Sequence, residues 1–393
     1  MQALATADFQ PRRRQDVIIG TAGDPRVVGF QAARARAGLP PADELDYRDL
    51  VANPERAAAR VPPSARVRID SPGRHPRVLD GLMRLGAEAC GRAGEHHLAP
   101  HEIATYLEDR GRLIPPRQLY RGMERVLDAL ARRAEQTGGG IALVPDPAFI
   151  LLAFDKTACR EHLAARGVSV PAALPPIASF EALLAAMRDT RHFRVFVKLR
   201  YGSAAAGTVA LATSRQGLRA VSTVEMTEGP AGLHLYNTRN VRTYSHAADI
   251  ARLIDALAPL GLHVEAWIPK ASVDGKVADL RVLVVGGEPR LRVLRKSRHP
   301  ITNLHLGGER GPADSLLSRM PAASAAALDE TCRSVALAMP GALQLGIDVA
   351  VAGGLLRHYV LEVNAFGDLL NGITTEDGLD AYDLQVRAMG AAA

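Results

Sequence analysis

One hairpin near the end of the chain constrains the fold more than any other feature. Two apolar strands turn at Gly353 and Gly354, and pairing across this turn puts Asp348 close to opposite Glu362. Asn364 lies on the same face as Glu362 because side chains alternate along a strand. Two carboxylates at that distance repel unless a cation or proton lies between them, and all-oxygen ligands suit Mg²⁺. The hairpin predicts a magnesium site, with two solvated edge-strand acids as the alternative.

A glycine loop between two strands is a second candidate site. In "YGSAAAG", the residues Gly202, Ser203 and Gly207 let backbone N–H groups approach an anion closely. Lys198 precedes the loop on a strand that reads as buried, where an ammonium needs an anionic partner. The loop matches neither the P-loop nor the dinucleotide-binding fingerprint. We interpret the lysine and loop as a phosphate site; a flexible hairpin and a surface lysine are the alternatives.

Basic side chains are concentrated between residues 279 and 308. Arg281 lies inside an apolar strand, and Asn303 and His305 precede a pair of glycines. Inward-facing donors of this kind bind phosphate or carboxylate. The pattern is equally consistent with arginines that face water.

The predicted arrangement of strands and helices differs between the first and the second part of the chain. The first part alternates strands such as "DVIIG" with amphipathic helices, as α/β proteins with a parallel sheet do, whereas the part from residue 193 onward has closely spaced strands in an α+β style. The strands predicted there are the two beside the glycine loop, "LHLYN", "HVEAWI", "LRVLVV", "LRVLRK" and the two of the terminal hairpin. The predicted units are a basic flexible tail (1–15), an α/β unit (16–150), a central unit with the glycine loop (151–265) and a C-terminal unit with the magnesium site (266–393).

Composition narrows the class of protein. The chain of 393 residues is 47% apolar, which is enough to bury a large core. No segment has the roughly 18 uncharged apolar residues of a membrane span, and the order of charges near the start does not fit a signal peptide, so we expect a cytoplasmic protein without a membrane partner. A net charge of +6 permits a nucleic-acid partner, but the arginines are dispersed and aromatic residues make up only 4%, so we do not favour one. The spacing of Cys90, Cys159 and Cys332 predicts core residues rather than disulfides or a zinc site.

Seven short motifs occur in an order that resembles the ATP-grasp ligases, most closely the branch with the ribosomal-protein glutamate ligases. They are "FDK", "FVKLRYGSAAAG", "VEAWI", "DLRVLVVGG", "NLHLGG", "GIDV" and "LEVNA", and the resemblance covers roughly residues 150 to 372. The first half is also similar to a group of bacterial ATP-grasp proteins. The resemblance implies an ATP-grasp fold behind an N-terminal parallel α/β (pre-ATP-grasp) domain.

The resemblance also implies ATP and Mg²⁺ as cofactors, and a role for each motif residue. The implied nucleotide-binding residues are Lys156, Lys198, Gly202, Ser203 and Gly207, with Glu265, Ala266, Trp267 and Ile268 as the hinge that receives adenine through its backbone. The implied catalytic residues are Arg281, Lys198, Asn303 and His305, and the implied metal ligands are Asp348, Glu362 and Asn364.

Two departures limit what the resemblance implies, the first about the nucleotide contact at the hinge and the second about the substrate. The family's hinge often has a glutamate where this chain has Ala266, and the "EVN" motif is followed by Ala365, Phe366 and Gly367 instead of Ser-Pro-Gly. The expected reaction is ATP-dependent joining of a small-molecule or peptide carboxylate to an amine. A kinase on the same scaffold and a non-catalytic nucleotide- or nucleic-acid-binding protein are the alternatives. The oligomeric state stays open, with a homodimer as one candidate.

Overall fold

The computed structural model describes residues 14–73, 75–230, 232–367 and 370–391, apart from the side chain of His305. Most of the predicted basic tail lies outside this range. The first sheet is parallel throughout, with the strand order β2-β1-β3-β4. Its strands are β1 (Asp16–Gly20), β2 (Asp43–Asp46), β3 (Arg66–Ile69) and β4 (Ala142–Val144).

Six helices accompany this sheet: α1 (Pro25–Arg36), α2 (Tyr47–Ala52), α3 (Pro54–Ala58), α4 (Pro76–Ala93), α5 (Pro100–Glu108) and α6 (Pro116–Gln136). Helices α4 and α6 pack backbone against backbone. A Cβ atom at Gly86 would lie 1.8 Å from the carbonyl oxygen of Gln118, and one at Gly122 would lie 1.9 Å from that of Leu82. Only glycine permits this approach, so these two positions fix how the helices cross.

Three helices lead from this unit into the second sheet: α7 (Pro147–Phe154), α8 (Lys156–Ala164) and α9 (Phe180–Asp189). The second sheet is antiparallel, with the order β8-β7-β6-β5-β9. Its strands are β5 (Arg194–Leu199), β6 (Val209–Ser214), β7 (Gly217–Gly229), β8 (Gly232–Tyr244) and β9 (Leu262–Ala266). Helices α9 and α10 (Ala247–Leu257) cover one face with an apolar cluster, so the other face, with Lys198, is turned toward the third sheet.

The third sheet is also antiparallel, with the order β13-β12-β11-β14-β15 and β10 beside β11. Its strands are β10 (Ser272–Val273), β11 (Lys276–Val285), β12 (Glu288–Ser297), β13 (Glu309–Gly311), β14 (Gln344–Val351) and β15 (His358–Asn364). Helix α12 (Ala322–Ala338), which follows the short helix α11 (Asp314–Leu317), packs Leu328, Cys332 and Val335 against one face. The opposite face therefore presents its polar side chains to the second sheet across a cleft.

The last helix, α13 (Ala381–Ala391), packs against the N-terminal unit. Tyr382, Val386 and Met389 join a cluster with Ile18 and Phe30 of the first unit. A second cluster places Leu384 against Leu283 of the third sheet. Helix α13 therefore packs on both the first and the third sheets.

The sequence predicted this mixture of a parallel sheet and antiparallel sheets, and that fold class is confirmed. The long strand β7 was not predicted, because "GLRAVSTVEMTEG" mixes polar and apolar residues without clear alternation. The three cysteines are buried and free, as expected. Within the described ranges, no helix has the length and hydropathy of a membrane span.

Candidate active site

Lys198 and its partners form the first part of the site. Lys198 pairs with His263 across β5 and β9, so both face the cleft together with Glu265. The Nζ atom of Lys198 lies 2.6 Å from Oε1 of Glu265. Burial would lower the pKa of Lys198, but the attraction of Glu265 and then of Glu362 and Asp348 raises it above its ordinary value. Burial would raise the pKa of Glu265, yet Lys198 and His263 lower it to about 2, so this buried pair is charged at neutral pH.

Lys156 bridges the two sheets that border the cleft. Its Nζ atom donates to the carbonyl oxygen of Gly202 at 2.5 Å and to Oε1 of Glu362 at 2.7 Å. Lys156 is the first residue of α8, whose N-cap is Asp155. Asp155 also accepts two hydrogen bonds from Arg200, at 2.7 and 2.6 Å. The glycine loop and the C-terminal hairpin are thus joined through one ammonium group.

The predicted metal residues lie on β14 and β15. Asp348 pairs directly with Glu362, as the hairpin pattern predicted, and Asn364 pairs with Gly346. The Nδ2 atom of Asn364 donates to the carbonyl oxygen of Gly346 at 3.2 Å. Two carboxylates and an amide on one face of a sheet are oxygen donors of the kind that Mg²⁺ takes in proteins, so this donor set fits that ion. Among the described residues, no cluster of three His, Cys, Asp or Glu side chains is arranged for a metal, and a site here therefore depends on Asn364 or on substrate oxygens.

Asp348 is shared by two arginines. Arg281 contacts it through Nε and Nη2, the latter at 3.1 Å, and Nη2 of Arg295 lies 3.1 Å from Oδ2. Burial would raise the pKa of Asp348, but the two guanidinium groups lower it well below its usual range. The predicted metal ligand is therefore ionised and bound to cations in this structure.

A buried network extends the site beyond the residues that the sequence singled out. Asp279 is 1% exposed and accepts from Nε of Arg295 at 2.8 Å and from Nζ of Lys270 at 2.7 Å. Thr302 donates to Asp279 and accepts from Lys270 at 2.8 Å. Burial would raise the pKa of Asp279, but Arg295 and Lys270 lower it. This network connects the segment after the hinge to Asp348 through Arg295.

The glycine loop has a tight backbone conformation. Ala204, Ala205 and Gly207 have φ angles of 53°, 59° and 68°. For the two alanines, this left-handed conformation costs on the order of 1–2 kcal/mol each. Thr223 of β7 supports the loop, because its hydroxyl donates to the carbonyl oxygen of Ala205 at 2.8 Å. The N–H of Thr208 donates to the same hydroxyl at 3.2 Å.

The predicted hinge begins with the last two residues of β9, Glu265 and Ala266, and lies beside an apolar cluster. The N–H of Ala266 donates to the carbonyl of Ala172 at 2.8 Å, and that of Trp267 donates to Arg194 at 3.1 Å. Those two donors are therefore engaged within the protein, and an adenine contact through Glu265 or Ile268 stays a prediction. The apolar cluster on the cleft face of the second sheet includes Phe196, Ala210, Val221, Trp267, Ile301 and Leu306.

The segment that carries Asn303 and His305 lies next to this cluster. Ile301 and Leu306 pack against the cleft face of the second sheet, and the carbonyl of Asn303 accepts from the N–H of Leu306 at 3.1 Å. Asn303 is therefore held at the border of the cleft. The side chain of His305 lies outside the described residues, so its predicted role stays a prediction.

A small cavity brings the two sheets' polar residues together. Its lining includes His263 and Glu265 of the second sheet, Glu362 of the third sheet, and Lys156 and Cys159 of α8. Residues from three of the sequence motifs, "FDK", "VEAWI" and "LEVNA", thus line one cavity.

No protein-family model matches the chain, and no curated protein sequence matches it. Solved structures do match: the ATP-grasp ligase PsnB in complex with a minimal precursor has a TM-score of 0.53 at 16% identity, over 97% of this chain and 99% of that one. The chain has the ATP-grasp fold.

Two further solved structures share the ATP-grasp fold with this chain. The D-cycloserine synthetase DcsG has a TM-score of 0.52 at 15% identity and covers 96% of this chain and 99% of its own. The macrocyclase MdnC from Microcystis aeruginosa MRC, bound with its precursor peptide MdnA, has a TM-score of 0.50 at 12% identity over 96% and 100%. The fold that the sequence motifs implied is therefore confirmed, while the roles of individual residues stay predictions.

The charged members of the buried network around the ATP-grasp cleft were not among the predicted site residues: Lys270, Asp279 and Arg295. A signal for two of them was present, because Asp279 and Arg281 alternate on an otherwise apolar strand and Arg295 lies on the next one. Lys270 had no such signal, because it lies in the loop after the hinge.

Proposed function

We propose that this protein is an ATP-dependent ligase that joins a carboxylate to an amine. The observation that carries the proposal is the convergence of Lys156, Lys198, Asp348 and Glu362 in the cleft between the two antiparallel sheets of an ATP-grasp fold. Two ammonium groups and two carboxylates facing one another suit a nucleotide's phosphates and the divalent ion that accompanies them.

The proposed reaction has two steps. A carboxylate oxygen of the first substrate attacks the γ-phosphorus of ATP, and ADP leaves with the electrons of the broken P–O bond. The amine nitrogen of the second substrate then attacks the acyl carbon of the acyl phosphate, phosphate leaves, and the amine loses a proton. Catalysis of this type depends mainly on positioning and on neutralising charge, so it needs no nucleophile on the protein.

The lysines would bind the phosphates from two directions. Lys198 is fixed on β5, and Lys156 is held at the start of α8 beside the glycine loop. In this proposal, the loop with Gly202, Ser203 and Gly207 covers the phosphates with its backbone N–H groups. The cleft-face cluster around Trp267 offers an apolar surface next to the hinge, which suits an adenine ring.

The carboxylates would hold Mg²⁺, with Asp348 and Glu362 as anionic ligands and Asn364 as a neutral one. When bound, the ion would neutralise phosphate charge and align the terminal phosphates. Arg281 lies against Asp348 and can therefore place its guanidinium group at the same centre, where it would stabilise charge on the transferred phosphoryl group.

The matching solved structures support a proposal about the class of substrate. PsnB and MdnC were solved with precursor peptides, and DcsG is a D-cycloserine synthetase. We propose an amino acid or a peptide as the source of the carboxylate or the amine. The use of ATP also agrees with the cytoplasmic location that the sequence led us to expect.

The test is an assay of ADP and phosphate release over a panel of amino acids and peptides, followed by mass analysis of the product. We expect phosphate release that requires both a carboxylate and an amine. Phosphate retained on a hydroxyl product would indicate a kinase instead. The folded Lys198→Ala and Glu362→Ala variants should lose ADP formation.

Lys276→Ala is a matched control, because Lys276 lies on the same sheet as the predicted metal residues but pairs with the exposed Glu309 at its rim. This variant should keep wild-type turnover. Near-normal turnover in folded Glu362→Ala would contradict the proposed metal site.

A further inference from the structure

A chain of hydrogen bonds leads from the first turn of α8 to the ammonium group of Lys198. Oγ1 of Thr157 lies 3.1 Å from Nδ1 of His263, and Nε2 of His263 lies 3.3 Å from Oε2 of Glu265. The other oxygen of Glu265 contacts Lys198 at 2.6 Å. His263 is 4% exposed and Glu265 is 3% exposed, so water does not substitute for these partners.

Glu265 fixes the direction of its hydrogen bond with His263. Glu265 is ionised and can only accept, so Nε2 of His263 carries the hydrogen and donates it. A neutral imidazole with its hydrogen on Nε2 accepts at Nδ1 from the hydroxyl of Thr157. Each oxygen of Glu265 thus has a donor, either Nε2 of His263 or Nζ of Lys198.

This arrangement restricts a side chain that is otherwise flexible. A lysine has four rotatable side-chain bonds and a point charge without directional preference. Lys198 can hold one position only if its acceptor is itself fixed, and the acceptor Glu265 is fixed by His263. Thr157 follows Lys156 on α8. The series of hydrogen bonds therefore links the helix that carries Lys156 to the acceptor of Lys198.

We propose that Glu265 and His263 are positioning residues for Lys198, with Thr157 orienting His263 from α8. This inference rests on the proposed function, in which Lys198 binds the phosphates of ATP. The role belongs to the side chain of Glu265, and it is separate from the adenine contact that the sequence assigned to the backbone. The opposing interpretation is that Glu265 merely neutralises a buried charge, in which case His263 has no effect on ATP.

The experiment compares the affinity of the full-length protein for MgATP, measured by calorimetric titration, in wild type and three variants. His263→Phe keeps a ring but removes both hydrogen bonds, and we expect about tenfold weaker binding, since losing one orienting hydrogen bond is worth about 1.4 kcal/mol. His263→Gln can accept from Thr157 and donate to Glu265 through its amide, so it should recover affinity to within about threefold of wild type. Thr157→Val should weaken binding about threefold.

His162→Phe is the matched control. His162 lies on α8 and bonds through Nε2 to the carbonyl of Ala338 at 2.7 Å, outside the chain that reaches Lys198. Its replacement should leave MgATP affinity unchanged.

The outcomes separate the two proposals. Wild-type binding together with unchanged affinity in folded His263→Phe would overturn the positioning role and leave the proposed function intact. If His263→Phe does not fold, Thr157→Val decides in the same way, because valine has nearly the shape of threonine. A wild-type protein that does not bind MgATP would overturn the proposed function and this inference with it.

Discussion

At the scale of single residues, the candidate site consists of charges that already have partners. Lys198 is bound by Glu265, Lys156 by Glu362, and Asp348 by Arg281 and Arg295. Removing one member of such a buried pair leaves the other uncompensated, which costs about 3–5 kcal/mol. Variants at these positions therefore need a check of folding before any loss of activity is interpreted.

The pair of Glu265 and Lys198 gives a prediction about pH. The pKa of Glu265 is lowered from 4.5 to about 2 in the folded protein, so its contribution to stability is complete above pH 4.5 and is lost as the pH falls toward 2. Between pH 5 and pH 3, the free energy of unfolding of wild type should fall relative to Glu265→Gln by about 2 kcal/mol.

The measurement is urea unfolding of both proteins at several pH values. Acid groups elsewhere change both proteins alike and cancel in the difference. A difference that does not vary with pH in this window would contradict the ion pair.

The sequence predicted that Lys198 needs an anionic partner, but it could not identify Glu265. That pairing depends on the register between β5 and β9, which are separated by more than 60 residues of chain. No local pattern fixes such a register. The pairing of Asp348 with Glu362 was predictable for the opposite reason, because one short hairpin turn joins the two strands.

At the scale of elements, the glycine loop between β5 and β6 gives the clearest test. Gly207 has a φ of +68°, and a Cβ atom there would lie 2.5 Å from Cδ1 of the buried Leu199. Gly207→Ala should lose about 1 kcal/mol to the left-handed backbone and about 1–3 kcal/mol more to overpacking. The KM for ATP should rise severalfold because the loop must shift.

Gly275→Ala is the control for the cost of a left-handed backbone conformation at alanine. Gly275 has a similar φ of +71°, but nothing lies within 4 Å of its added Cβ atom. It should lose only about 1 kcal/mol and keep the wild-type KM for ATP. Equal effects of both substitutions on stability and KM would show that the loop has no special role.

Elements were predictable where the pattern is local and strong. The amphipathic helices follow from the spacing of their apolar residues. The turn at Gly286 and Gly287 follows from two adjacent glycines, both of which have a positive φ in the structure. Strand β7 is stabilised instead by its long pairing with β8, and its sequence alone gives no clear signal.

At the scale of the whole molecule, α13 connects the first sheet with the third. Met389 is 2% exposed in the cluster with Ile18 and Phe30, and Arg36 of α1 bonds to Asp380 and Asp383 at 2.7 Å. Met389→Ala should reduce the free energy of unfolding by about 2–5 kcal/mol, because it opens a cavity between the two ends of the chain.

The control is Leu337→Ala, since Leu337 of α12 is 82% exposed and should change stability by less than about 0.5 kcal/mol. The urea midpoints of the two variants decide the question. Equal midpoints would mean that α13 does not contribute to the stability of the whole chain.

The most direct test of the account is calorimetric titration of the full-length protein with ATP, with and without Mg²⁺. We predict saturable binding at one site that requires Mg²⁺, about 10- to 100-fold weaker binding by folded Lys198→Ala because a charged hydrogen bond contributes about 1.5–3 kcal/mol, and unchanged binding by Lys276→Ala. Absence of saturable binding by wild type, or unchanged affinity in Lys198→Ala, would contradict a nucleotide site in the cleft between the two antiparallel sheets.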